Sequence, residues 1–288
     1  MAVKSVFTIR LMRPDDLEQA FGLSTKEGWN QTVNDWSLLL NSPGSICIVA
    51  EMDKMVVGTA TALNYENRIA WIGMVLVDKS LRGKGAGKLL LKYILDSLQN
   101  VESVKLDATP AGEPLYRKLG FIGEHKILRM TCEALNYIPE KSDLQDLDNI
   151  KEENFAEVLK LDRAIFGADR SYLLMNLLNN YPAKAFYLKK GNNPEGFVLG
   201  RDGTKYHYIG PVCALSHSSA RDLMSKTLES INNQPVAVDV LEDKEDFIIW
   251  LESIGFMKQR QFLRMYLNRN PYPGMVDTQY LISGPEYG

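Results

Sequence analysis

Residues 81–90, LRGKGAGKLL, place three glycines and three cationic side chains within ten positions. Backbone N–H groups at a helix N-terminus and the helix dipole together attract anions. The leucines that follow recur at helical spacing and predict a helix over residues 88–98. The stretch therefore indicates a phosphate-binding loop, and the alternative is a glycine-rich surface turn with solvated lysines. The candidate ligands of the anion are Arg82, Gly83, Lys84, Gly85, Ala86, Gly87 and Lys88.

The spacing of the glycines excludes two common designs. A nucleotide P-loop needs G-x-x-x-x-G-K-[ST], whereas Gly83 and Gly87 are one position too close and Leu89 replaces the serine or threonine. The dinucleotide fingerprint G-x-G-x-x-G fails because Lys88 stands at its third glycine. The pattern R-x-x-G-x-G/A fits without adjustment.

With its flanks, the loop resembles that of the GCN5-related N-acetyltransferases (GNAT). The strand MVLV precedes it, a leucine-rich helix and a further strand follow, and LYRKLGF stands downstream. The resemblance implies that acetyl-CoA is the co-substrate, with its pyrophosphate on the loop. It also implies that the backbone of Met74, Val75, Leu76 and Val77 holds the pantetheine arm and polarises the thioester carbonyl.

The same resemblance suggests the chemical groups of an N-acetyltransferase. Tyr116 matches the family's general acid, which protonates the departing thiolate. Asp107 ends the strand VKLDA where many relatives carry an acid, so it is expected to act as the base or else to have a structural or water-positioning role. Trp29 and Asn30 lie in a break between helical stretches and are expected to line the acceptor pocket.

The sequence contains an internal repeat of two copies. AWIGMVLV and HYIGPVCA, and later YRKLGFIGEHKILRM and LESIGFMKQRQFLRM, follow in the same order about 135 positions apart. This repeat predicts a catalytic N-terminal domain over residues 1–133 and a second GNAT-like domain over 143–288, with the linker near residues 132–143. The predicted fold class is α/β (α+β): two tandem GNAT folds, each with a mixed, mostly antiparallel central sheet flanked by helices.

The second copy has lost the features that predict activity. Its loop reads LSHSSARDLM, without glycine, and Leu251 stands at the position equivalent to Tyr116. We therefore expect a degenerate domain that stabilises the fold, closes the acceptor pocket or mediates dimerisation. The tail PYPGMVDTQYLISGPEYG is expected to cover a sheet edge or to reach back to the first domain.

Composition limits the partners. The net charge of -3 provides no field for nucleic acid or anionic lipid, and no apolar run approaches the roughly 20 residues of a membrane span. Three distant cysteines in apolar settings predict reduced thiols and a cytoplasmic protein. His207 and His217 lack partners at metal spacing, so no metal is expected.

The acceptor is left open: a small polyamine, an amino sugar, an amino acid or a peptide N-terminus. A tandem acetyltransferase of another kind, mycothiol synthase, uses its C-terminal domain as the active one, which is the opposite pattern. The alternative to an enzyme is a non-catalytic acyl-CoA sensor or interaction protein, which would have no need of both Tyr116 and Asp107.

Overall fold

A computed structural model describes residues 7–134, 147–191, 193–231 and 234–288. Its helices are α1 (Leu17–Lys26), α2 (Val33–Asn41), α3 (Ala86–Ser97), α4 (Glu113–Lys118), α5 (Glu152–Phe166), α6 (Ser171–Asn180), α7 (His217–Ser230) and α8 (Glu245–Ser253). Its strands are β1 (Thr8–Leu11), β2 (Ile46–Met52), β3 (Met55–Tyr65), β4 (Ile69–Val77), β5 (Ser103–Ala108), β6 (Ile122–Cys132), β7 (Leu147–Asn149), β8 (Phe186–Lys190), β9 (Asn193–Arg201), β10 (His207–Ala214), β11 (Val236–Leu241), β12 (Met257–Asn268) and β13 (Gln279–Leu281).

Local sequence patterns explain where the elements of the first half form. In α3 the residues Leu90, Leu91 and Ile94 recur at helical spacing and are fully buried against the sheet. A turn at Asp53 and Lys54 joins β2 to β3, and both residues have positive φ angles, 50° and 63°.

Helices cover both faces of the sheet. Helices α1, α2, α5 and α6 contribute to one apolar cluster that extends across both halves. On the other face, α3 and α4 pack on the first half, and α7 and α8 pack on the second. The mixed, mostly antiparallel sheet flanked by helices confirms the predicted fold class.

The strands of the described residues all belong to one continuous sheet of 13 strands, in the order β1-β2-β3-β4-β5-β12-β6-β11-β13-β10-β9-β8-β7. Strand β12 of the second half lies between β5 and β6 of the first half. In return, β6 pairs with β11 of the second half. The two copies have therefore exchanged their last repeated strands.

Ion pairs accompany this exchange. Arg264 of β12 contacts Asp107 of β5 through two hydrogen bonds of 3.0 and 3.1 Å. The repeat-related Arg129 of β6 contacts Asp239 of β11 at 2.8 and 2.5 Å. Each half thus supplies the arginine that neutralises the buried aspartate of the other half.

The C-terminal tail extends from the second half into the first. Trp71 Nε1 donates to the carbonyl of Pro285 at 3.0 Å, and the Tyr65 hydroxyl donates to the carbonyl of Tyr287 at 2.8 Å. A Cβ on Gly73 would lie 2.8 Å from the Cα of Glu286, so the close approach of the tail requires glycine there. The tail therefore does both things expected of it: its strand β13 covers the edges of β10 and β11, and its last residues reach back to the first half.

The domain boundaries at 133 and 143 stay a prediction, because residues 135–146, which hold most of the predicted linker, lie outside the described residues. The cysteines Cys47, Cys132 and Cys213 are buried free thiols. Within the described ranges, no helix combines the length and the apolar character needed to cross a membrane.

Candidate active site

The first half contains an opening between two parallel strands. Strands β4 and β5 are paired from Ile69 and Ser103 up to Ile72 and Leu106. Both strands continue beyond that point, but they are no longer paired with each other. The edge of β4 that faces β5 therefore has unpaired backbone groups from Gly73 onward. Met74 lies at this opening with a φ of 50°, next to a shift in the β3–β4 register, so β4 bulges where it leaves β5.

The glycine loop lies at the end of β4 and begins α3. Gly85 is the N-cap of α3 with a φ of 91°, and Gly83 has a φ of 78°. Such angles favour glycine, and a Cβ at either position would meet no atom within 4 Å. A Cβ on Gly87 would contact only Val77, at 3.7 Å. The loop is thus open around Gly83 and Gly85, just before the first turn of α3.

Cations surround this space. Arg82 Nε donates to the carbonyl of Val77 at 3.1 Å, and its Nη2 donates to Glu27 at 2.5 Å. Lys84 and Lys88 are exposed. The candidate loop residues are therefore brought together around one helix N-terminus, and Ala86 is the buried member that anchors the first turn.

A cavity of about 480 Å³ extends from the loop through the opening between β4 and β5. Its wall combines all four β4 residues expected at the pantetheine, both loop ends and both catalytic candidates. The lining residues on which the site depends are Trp29, Gln31, Met74, Val75, Leu76, Val77, Arg82, Gly87, Asp107, Tyr116, Arg129, Arg260, Phe262, Pro285 and Glu286.

Tyr116 lies on α4 and faces the cavity. Its ring packs edge-on against Phe121, with the centroids 5.9 Å apart. Among the described residues its hydroxyl has no hydrogen-bond partner, and burial raises the pKa of Tyr116 to about 12. The hydroxyl is therefore protonated at neutral pH and free to donate a proton into the cavity.

Asp107 also lines the cavity, but its carboxylate is already engaged. Both oxygens accept hydrogen bonds from Arg264, and the side chain is fully buried. Burial raises the pKa of Asp107, and the charge and hydrogen bonds of Arg264 oppose that rise. Asp239 makes the same pair in the half that lacks the glycine loop, which favours the structural role expected as the alternative for Asp107.

The two expected acceptor contacts separate in the structure. Trp29 lines the cavity, whereas the Asn30 side chain points to the second half, where its Oδ1 accepts from the backbone N–H groups of Lys205 and Tyr206 at 3.0 and 2.9 Å. Its Nδ2 donates to the carbonyl of Tyr206 at 2.9 Å. Asn30 thus joins the two halves, and the neighbouring Gln31 takes the place on the cavity wall.

Four cavity residues come from the second half and were not expected from the sequence: Arg260, Phe262, Pro285 and Glu286. The signal that could have indicated the tail residues Pro285 and Glu286 is the glycine at position 73, because a glycine within a strand implies a close backbone approach. The strand exchange that brings Arg260 and Phe262 here leaves no such signal.

Glu286 is the buried carboxylate at the cavity wall. Its Oε1 accepts from Arg201 at 2.7 Å, and Arg201 also contacts Asp35 at 3.0 Å, so one guanidinium serves two carboxylates. Burial raises the pKa of Glu286, while the Arg201 charge and the neighbouring Gln31 amide lower it. Its Oε2 is buried without a hydrogen bond of good geometry.

The equivalent opening in the second half is filled. Strands β10 and β11 pair only at His207–Tyr208 and Val236–Ala237, and β13 then lies between them. Leu281 is the register partner of both Val212 and Val240. The space that is open between β4 and β5 is thus occupied by the chain's own tail, and β10 and β11 present no free edge to a ligand there.

Comparison with known protein families agrees with this architecture. A family model described as an acetyltransferase (GNAT) domain matches residues 43–122, and a second model of the same description matches residues 158–281. A holothin acyltransferase from Pseudoalteromonas sp. (strain SANK 73390) is 26% identical over 246 residues, which are 85% of this chain and 82% of that protein. YitH of Bacillus subtilis (strain 168), named as an uncharacterized N-acetyltransferase, is 26% identical over 191 residues, which are 66% of this chain and 67% of that protein.

Solved structures share the whole fold. A protein from Pyrococcus horikoshii assigned as an acetyltransferase superimposes with a TM-score of 0.82 at 23% identity, over 100% of this chain and 98% of that one. A tandem GNAT protein from the clavulanic acid biosynthesis pathway superimposes with a TM-score of 0.62 at 12% identity, over 90% of this chain and 98% of that one. The chain therefore belongs to the GNAT acetyltransferase family and carries two GNAT domains in tandem.

Proposed function

We propose that this protein is an acetyl-CoA-dependent N-acetyltransferase whose N-terminal half acetylates a primary amine of a small acceptor. The observation that carries the proposal is the contrast between the two openings. The one between β4 and β5 is open and ends at a glycine loop, whereas the one between β10 and β11 is filled by β13.

The glycine loop would hold the cofactor pyrophosphate. The open space before the N-terminus of α3 suits an anion, because backbone N–H groups and the helix dipole attract it and no side chain intrudes. Arg82, Lys84 and Lys88 would add positive charge. The backbone groups of β4 that face β5 beyond Ile72 would then hydrogen-bond the pantetheine arm and polarise the thioester carbonyl.

Tyr116 is the proposed general acid. The amine nitrogen attacks the thioester carbonyl carbon, the C–S bond breaks, and the departing thiolate takes a proton from the Tyr116 hydroxyl. The extra proton of the acylated nitrogen then restores the Tyr116 hydroxyl. General acid catalysis of this kind contributes about 10²–10⁴-fold to the rate. The remaining enhancement comes from holding the amine and the thioester in line.

Glu286 is the better-supported proton acceptor for the ammonium. Its raised pKa brings it closer to that of the amine, and Arg201 hydrogen-bonds Oε1 and leaves Oε2. Asp107 was the first candidate, but both of its oxygens are occupied by Arg264. We assign Asp107 to the support of β5 and β12 around the cavity.

The second half is assigned a supporting role. It completes the cavity wall with residues from β12 and the tail, and its own opening is closed. The three buried free thiols fit a reducing compartment such as the cytoplasm.

Calorimetric titration with acetyl-CoA tests the proposal. We expect one site per chain, and a ligand at 100 times its dissociation constant should stabilise the fold by about 2.7 kcal/mol. Thiol release on addition of amines then tests turnover. Binding without any turnover, together with a Tyr116→Phe variant identical to wild type, would favour the non-catalytic acyl-CoA sensor. The absence of binding would refute both functions.

A further inference from the structure

Unsatisfied polar atoms are concentrated at the acceptor end of the cavity. Six buried side-chain atoms of the described residues lack a hydrogen-bond partner, and three of them belong to residues that line this cavity. Buried polar groups in folded proteins are nearly always hydrogen-bonded, and each exception destabilises the fold. The residues that carry three of these atoms thus lie together on one wall of the cavity, which marks this wall as a place for a polar ligand. The three atoms are Gln31 Oε1, Glu286 Oε2 and Arg260 Nε.

The charged residues on the wall are paired, with Arg260 as the exception among the described residues. Glu27 pairs with Arg82, Asp107 with Arg264, and Arg129 with Asp239. Arg260 is the register partner of Arg129 on the adjacent strand, so two guanidinium groups lie near one carboxylate, that of Asp239. The Arg260 guanidinium lies over the Phe262 ring, 5.1 Å from its centroid, which orients it at the wall.

Near the tail, negative charge is in excess instead of positive charge. Arg201 faces both Asp35 and Glu286, so that group carries an excess of carboxylate over guanidinium. The cavity wall thus carries Gln31 and an acidic group at one place and the unpaired cation of Arg260 at another. An ammonium supplies three donors, and a carboxylate supplies acceptors that match a guanidinium.

We propose that the acceptor is an amine that also carries a carboxylate, of the amino-acid class. Its amino group is held by Gln31 and Glu286, and its carboxylate by Arg260. This inference rests on the proposed function and narrows its substrate. It selects the amino-acid class over polyamines and amino sugars, which carry no carboxylate for Arg260.

Matched acceptors test the inference in the full-length enzyme with acetyl-CoA as donor. Each amino acid is compared with its carboxamide and with its decarboxylated amine: phenylalanine, phenylalaninamide and phenethylamine, then lysine, lysinamide and cadaverine. We expect kcat/KM to be at least 10-fold higher for the preferred amino acid than for its two analogues. Comparing β-alanine with O-phosphoethanolamine distinguishes a carboxylate from a phosphate at Arg260, and preference for the phosphate would overturn the assignment.

Variants of Arg260 test whether this residue causes the preference for acceptors that carry a carboxylate. Arg260→Gln should lower kcat/KM for the amino acid at least 10-fold more than for its carboxamide, so that the preference for the carboxylate is lost, while Arg260→Lys should retain part of the preference. Lys258→Gln is the matched control, because it removes the same charge from the same strand at a side chain that is 55% exposed and paired with Glu252. The melting temperature and the Kd for acetyl-CoA should be unchanged in all three variants.

The outcomes separate this inference from the proposed function. If carboxylate-free amines are acetylated as well as the amino acids, or if the preference survives in Arg260→Gln, the inference is wrong and the acetyltransferase assignment stands. If the wild-type protein binds acetyl-CoA but acetylates none of the carboxylate-bearing amines, the inference is equally wrong. If acetyl-CoA itself does not bind, the proposed function fails first.

Discussion

Replacing Gly85 by glutamate tests the anion-binding loop without knowledge of the acceptor. Gly85 is exposed at the N-cap of α3 with a φ of 91°, and a Cβ there would meet no atom within 4 Å. The folded protein should therefore accept the side chain without a clash. The left-handed backbone alone should cost about 1–2 kcal/mol, which corresponds to a melting temperature lower by roughly 2–8 °C.

The effect on the cofactor should be larger than this strain predicts. A carboxylate about 5 Å from a phosphate charge opposes binding by about 3 kcal/mol at an effective dielectric constant near 20. Solvent at this exposed loop screens part of that repulsion, which leaves about 1.4 kcal/mol or more. We therefore expect the Kd for acetyl-CoA to rise at least tenfold.

Titration calorimetry of wild type, Gly85→Glu, Gly85→Ala and Gly191→Glu measures this. Gly191 is the matched control, since its φ is 63° and a Cβ there also meets no atom within 4 Å, but it lies in the second half. Gly191→Glu should share the loss of stability and keep the wild-type Kd. Gly85→Ala should separate backbone strain from charge. If Gly85→Glu binds acetyl-CoA within twofold of wild type, the loop does not hold the pyrophosphate and the argument from its geometry is refuted.

Three further predictions concern the acid, the exchanged ion pairs and the tail. Tyr116→Phe should lower kcat by about 10²–10⁴-fold with an unchanged Kd for acetyl-CoA, because its hydroxyl has no partner to lose in the described part of the protein; single-turnover thiol release measures this, and a wild-type rate would remove the acid assignment. Asp239→Asn should lower the free energy of unfolding, measured by urea titration, by about 3–5 kcal/mol, because it leaves the buried Arg129 unpaired. The control Asp243→Asn, at a side chain that is 50% exposed, should change it by less than about 0.5 kcal/mol. Removing residues 284–288 should lower the melting temperature and abolish turnover, since the Trp71 and Tyr65 contacts and Glu286 are lost together; a truncated enzyme with full kcat would exclude Glu286 as the base.

Local patterns predicted the elements and the loop closely. The strands predicted at MVLV and VKLDA lie in β4 and β5, and the helix predicted over 88–98 is α3 at Ala86–Ser97. These features depend on neighbours in sequence, such as the turn at Asp53 and Lys54 or the helical spacing of Leu90, Leu91 and Ile94. Residues that are close in the chain decide them, so the sequence contains the information.

The strand exchange could not be predicted for the opposite reason. Strands β6 and β12 carry the same repeated pattern, so either could pair with β5 or β11 on local grounds. The tail residues at the cavity depend on the same long-range arrangement, as does the turn of Asn30 toward Tyr206. Predicting the acceptor wall therefore required knowing which copy each strand completes.

The exchange of β6 and β12 also bears on how the two sites could become different. The strand order is the same when read from either end with the copies interchanged, apart from β13, so the chain has the architecture of an intertwined two-fold dimer joined by a linker. In a homodimer every substitution occurs in both subunits, and both openings must stay alike. In a single chain each substitution occurs once. One opening can then lose its glycines and enclose a strand of the tail, while the other keeps its loop and gains Arg260 and Glu286 as neighbours. Joining the copies thus permits a division of labour that a symmetric assembly of identical subunits forbids.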